Sequence, residues 1–218
     1  MMHVWAVALD LLLALLLVTV WYVAFLRYNR GRAKQLLRWI AAASGREGKI
    51  VSLRWITGSR FLLQLEFPGE SFHNAHIRVQ LKPREMPLSW LLSRLKGWEE
   101  TLTFEADLNC PPAFNLQVCN YRWRRIPASS REPQAAVLYR TGPVVLTTRG
   151  DWQQDLASMM NGLLASRDCN FERVTFRRET PHFSAVLPLR FLDLNCDCPA
   201  PLFEALHELA AGASAAMF

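Results

Sequence analysis

The sequence predicts an α+β protein: one N-terminal transmembrane helix, then a cytoplasmic domain with a mixed or antiparallel sheet and about three helices. Three observations lead there. Residues 4–26 are apolar except for Asp10. Short segments after residue 48 alternate apolar and polar side chains. Between them stand a few segments with apolar residues three and four apart.

The opening run, "VWAVALDLLLALLLVTVWYVAFL", has the length a bilayer demands. As a helix it reaches about 34 Å, against a hydrocarbon core of roughly 30 Å. Trp5 stands near one end and Trp21 and Tyr22 near the other, where amphipathic rings anchor a span to its interfaces. No Lys or Arg precedes the run, and no small-x-small site follows it directly, so it reads as an uncleaved signal-anchor. Asp10 is its one ionisable group, an intramembrane polar contact in the sharper reading and an interfacial aspartate in the plainer one.

The next stretch, "RYNRGRAKQLLRWI", carries Arg27, Arg30, Arg32, Lys34 and Arg38 without an acid. The positive-inside rule then places the N-terminus outside and the rest in the cytoplasm. All 25 basic residues and 18 of the 19 acids follow position 26, so that part has a formal charge of +7. These five cations are the expected membrane-surface residues, each worth about 1 kcal/mol beside anionic headgroups. Leu36, Leu37, Trp39, Ile40 and Ala43 suit an amphipathic helix. The expected division is therefore a span at 4–26, a basic juxtamembrane helix at 27–46 and an α+β soluble domain at 47–218.

Within that domain, "KIVSLRWI" alternates, with Val51, Leu53 and Trp55 opposite Ile50, Ser52, Arg54 and Ile56. A "TGS" turn joins it to "RFLLQLEF", a hairpin over 49–67. "HIRVQLK" (76–82) is a third strand. Pro87 opens a helix over 88–97 that stops near Gly97. Strands are expected at 99–108 and 114–124, a hairpin around "TGP" at 141–143, a helix over 151–167, strands at 171–177 and 182–193, and a helix over 201–213.

The tetrapeptide Asp-Leu-Asn-Cys occurs at 107–110 and again at 193–196. Both copies follow an apolar run and precede prolines. Asparagine serves a turn and proline stops a strand, so the repeat reads as a strand-end turn. Cys196 and Cys198 are closer together than the usual Cys-x₂₋₄-Cys of a zinc site. Cys110 stands with the other copy, and His73, His76, His182 and His207 form no ligand pair at helical spacing. No metal and no cofactor is expected. Nucleophile elbows and phosphate-cradling loops are absent from a chain with only 10 glycines. Glu105 and Asp107 share a strand face, as solvated side chains do.

"YRWRRI" sets Trp123 among Arg122, Arg124 and Arg125, next to Tyr121. An aromatic among guanidinium groups is a common interface composition, so Tyr121, Arg122, Trp123, Arg124 and Arg125 are the candidate partner-binding residues.

The order of these elements resembles that of an endoplasmic-reticulum coiled-coil-domain family associated with multipass membrane-protein insertion. The similar stretches are "RGRAKQLLRWI", "PLSWLLSRLKGWEETLTFEADL" and "PLRFLDLNCDCPAPLFEALHEL". The resemblance implies a single span, a short basic helix and an α+β cytosolic domain. It includes no diagnostic motif, lacks the family's acidic segment and coiled-coil tail, and carries no functional residue across.

The expected function is that of a non-catalytic single-pass protein, an accessory, scaffold or assembly subunit of a membrane complex. Its expected partners are other membrane proteins and anionic lipid headgroups, and not nucleic acid, for which no RNP-like motif, zinc knuckle or long basic helix appears. The alternatives are a membrane-tethered enzyme and a peripheral lipid-binding module.

Overall fold

The computed structural model describes residues 2–44, 48–68, 72–112, 115–120, 136–141, 144–148, 171–192 and 202–215. Helix α1 runs unbroken from Met2 to Ser44. Its 43 residues extend about 65 Å by helix rise. The apolar run and the basic stretch, two elements in the sequence reading, are one helix.

The fold is α+β. Nine strands form one sheet in the order β1-β2-β3-β4-β9-β8-β5-β7-β6. They are β1 (Lys49–Thr57), β2 (Arg60–Glu66), β3 (Phe72–Gln80), β4 (Thr101–Leu108), β5 (Leu116–Asn120), β6 (Ala136–Thr141), β7 (Val144–Thr148), β8 (Arg173–Phe176) and β9 (Phe183–Pro188). Every pairing is antiparallel. Helix α2 (Pro87–Leu95) lies in the connection from β3 to β4, and α3 (Leu202–Ala215) follows β9 and a 3-10 turn at Leu189–Phe191.

One face of the sheet is the core. Register aligns Phe61 with Val79, Ile77 with Phe104, Phe104 with Ala185, and Val118 with Val174. Strict alternation therefore delivers a continuous apolar surface across six strands. Two helices cover it. Ala33, Leu36, Trp39 and Ile40 of α1 join the core, as do Leu202, Phe203, Leu206 and Leu209 of α3. Phe67 packs between sheet and α3, 5.8 Å from Phe203 and 5.6 Å from Phe72 between ring centroids. The opposite face is polar: Arg78 pairs with Glu105 at 3.3 Å, and Asn74 donates to Asp107 at 3.2 Å.

Several strands differ from the sequence reading at their ends. β3 begins at Phe72, four residues early, because Asn74 takes a left-handed φ of 48° that absorbs a register shift between His73 and His76. β1 has register shifts around Val51 and Ile56, so its alternation is not simple. β9 stops at Pro188, well short of 193, and turns into the 3-10 segment.

The first copy of the repeated tetrapeptide lies at a strand end, as expected. Asp107 and Leu108 end β4, and Asn109 and Cys110 form the bend after it. The strand ahead of the second copy, β9, runs antiparallel to β4 and beside it. Residues 193–201 themselves, with Cys196 and Cys198, lie outside the described residues, as does the expected helix over 151–167.

Candidate membrane-proximal interface

Exposure along α1 changes abruptly. Residues 5–20 are all exposed, although nearly all are apolar. Trp21 is the first half-buried side chain and Asn29 the first buried one. The helix is long and apolar enough to span a membrane over its first half, and part of a protein core over its second. Asp10 lies exposed within the bare half.

Where exposure changes, the loop after β3 fastens to the helix. The Trp21 indole N–H donates to the Arg84 carbonyl at 3.0 Å. The Asn29 amide donates to Glu85 Oε2 at 2.8 Å, both groups being buried. Arg84 forms an ion pair with Glu100 at 2.8 Å, and its guanidinium lies 5.1 Å from the Tyr28 ring centroid. The turn between β1 and β2 closes the junction: a Cβ on Gly58 would stand 3.0 Å from Leu26 and 3.1 Å from Glu85. A side chain here would crowd Leu26 and Glu85.

These elements enclose an open groove of about 660 Å³. Tyr22, Met86, Leu92 and Trp98 give it apolar walls, with Ser59, Ser93, Arg60 and Lys96 among its polar lining. The lining includes neither His nor Cys, and its carboxyl group, Glu85, is held by Asn29. The polar groups it presents are hydroxyls and cations.

The five cations that follow the apolar run divide by position. At 100° per residue, Arg27, Arg30, Lys34 and Arg38 form one stripe, opposite the buried stripe of Asn29, Ala33, Leu36 and Ile40. Arg32 stands on the flank and is half-buried. Arg27 and Arg30 lie within about 6 Å of residue 26 along the axis, whereas Arg38 is about 18 Å away. That separation exceeds the Debye length of about 8 Å at physiological salt, so Arg27 and Arg38 act on different surroundings.

Tyr121, Arg122, Trp123, Arg124 and Arg125 lie outside the described residues. A surface of similar composition is present on β1, which sequence reasoning did not single out. β1 is an edge strand, and Val51, Leu53, Trp55 and Ile56 are exposed on it beside Arg54. Leu53 and Trp55 pair opposite Leu63 and Phe61 on the core face, yet no helix covers them fully. The signal was an apolar strand first in the sheet; what hid it was that the same alternation describes a buried strand.

Cys110 is exposed and free, and among the described residues no cluster of three His, Cys, Asp or Glu side chains could hold a metal ion. His182 accepts the Leu108 backbone N–H through Nδ1 at 3.2 Å, a structural role at the end of β4. The chain matches no protein-family model, and no curated protein matches it.

Proposed function

We propose that this chain is a non-catalytic, single-pass membrane protein that serves as an accessory, scaffold or assembly subunit of a membrane complex, with its domain in the cytoplasm. One observation carries the reading: α1 passes without a break from a bare apolar half into the core. A tether requires only a flexible linker. A helix continuous into the core also sets the domain's height and orientation above the bilayer, as docking to another membrane protein requires. The cations at 27–38 orient the span with the domain inside.

The partner surface is the edge and exposed side chains of β1 together with the basic ridge of α1, which suits an acidic partner. The unpaired strand edge offers backbone hydrogen bonds, and Leu53 and Trp55 offer apolar contact. The resemblance in element order to the membrane-insertion-associated family points to the same class of work.

Mild-detergent purification of the full-length protein tests this. A stoichiometric membrane protein is expected to accompany it, and Leu53→Glu combined with Lys34→Glu and Arg38→Glu is expected to release that protein. Protease added outside intact cells should leave the domain whole. A chain that purifies alone and turns over a small molecule, or a domain digested from outside, overturns the proposal.

A further inference from the structure

Helix α2 is turned inside out. Leu88 and Leu95 are 71% and 75% exposed, and Met86, Leu91 and Leu92 are exposed as well. Its buried residue is a serine, Ser93, whose hydroxyl donates to the Trp90 carbonyl at 2.8 Å. At 100° per residue, Leu88, Leu91, Leu92 and Leu95 fall within one stripe about 100° wide, while Trp90 and Ser93 face the protein. A soluble domain does not hold four leucines in water on a helix of nine residues.

The position of the helix identifies what covers it. Trp90 lies 6.2 Å from Trp21 between ring centroids, and Trp21 is where the bare half of α1 ends. The leucine-bearing helix thus meets α1 where its bare half ends, within the last turns of the apolar run, and the two surfaces belong to one boundary. Beside it stand residues typical of an interface: Trp98 with Arg60 5.7 Å from its ring centroid, Arg94 lying 5.7 Å from the Trp90 centroid, and Lys96 at the helix end. An apolar face bordered by tryptophan and cations is the pattern of a helix lying in the plane of a bilayer.

We infer that α2 is a second membrane contact, lying in the headgroup–acyl boundary of the leaflet that α1 leaves at Trp21. This rests on the reading of α1 as a membrane span. With α1 crossing and α2 lying flat beside it, two contacts fix the domain against tilting, which a single helix cannot do.

Depth-dependent quenching in the full-length protein tests it. On a background with the five cysteines replaced by serine, an environment-sensitive fluorophore is placed singly at Leu12→Cys, Leu91→Cys, Leu95→Cys and Gln64→Cys. The proteins are reconstituted in phosphatidylcholine–phosphatidylglycerol vesicles brominated either near the headgroup or deep in the chain. The 91 and 95 probes should lose emission with shallow bromine, the Leu12 probe with deep bromine, and the Gln64 probe with neither. Leu88→Glu added to the Leu95→Cys protein should restore emission at 95, and added to the Leu12→Cys protein it should leave the quenching there intact. If Leu12 is quenched and 91 and 95 are not, the inference fails and the span stands. Failure at 91 and 95 in vesicles, with a blue shift only in the purified complex, assigns the stripe to a protein and also overturns it. If Leu12 is unquenched, the span itself is wrong.

Discussion

Asn29 and Trp21 show how much of the membrane-proximal junction depends on single side chains. Asn29 stands in a stretch whose sequence advertises only basic charge, yet it is buried and bonded to Glu85, 56 positions away. Asn29→Ala leaves a buried carboxyl group without that donor. The expected cost is about 1–3 kcal/mol, read as a lower unfolding midpoint in mild detergent. Glu85→Gln keeps an acceptor for the amide and should cost less. Trp21 was legible as an interfacial ring. That its N–H meets the Arg84 carbonyl was not, because nothing near Arg84 marks one carbonyl among many as the partner.

At the scale of elements, two glycines test the helices in opposite directions. Gly31 sits inside α1, exposed, with nothing within 4 Å of where a Cβ would stand, so Gly31→Ala should stabilise the helix by about 0.5–1 kcal/mol. Gly97 follows α2 with φ of 62°; its N–H donates to the Arg94 carbonyl and the Trp98 N–H to the Ser93 carbonyl. That pair is a Schellman cap, and Gly97→Ala should cost about 1 kcal/mol by forcing a Cβ into left-handed backbone. Both shifts are measurable by thermal unfolding of the full chain, and equal shifts of one sign would refute the assignment. The elements themselves were largely readable. Pro87 and Gly97 bracket α2, and the hairpin of β1 and β2 follows from its turn and alternation. The bulges of β1 and the early start of β3 were not, since a register shift is set by the partner strand and leaves no periodic trace in its own.

For the whole molecule, the division of α1 into a bare half and a core half predicts how a shortened chain behaves. Removal of residues 1–20 leaves every buried residue of α1 in place, so the domain should fold and no longer resist alkaline extraction from membranes. It should still sediment with anionic vesicles through α2, Arg27 and Arg30. High salt should weaken that association, and Leu88→Glu with Leu95→Glu should abolish what salt leaves. The topology that makes this possible could not be read along the chain. The β8–β9 hairpin inserts between β4 and β5, so strands far apart in sequence become neighbours.

The sequence by itself determined the apolar span, the basic stretch beside it, the α+β class and the places of most described strands and helices. Hydropathy and periodicity are properties of near neighbours, and near neighbours are what a sequence lists. Only the tertiary structure decided that the apolar run and the amphipathic helix are one rod, that β1 lies partly exposed at a sheet edge, and that the leucines of α2 face outward. An apolar stripe has the same spacing whether it meets a core or a bilayer. Which of the two it meets depends on how distant segments pack, and here the contact of Trp90 with Trp21 leaves the leucines of α2 facing outward.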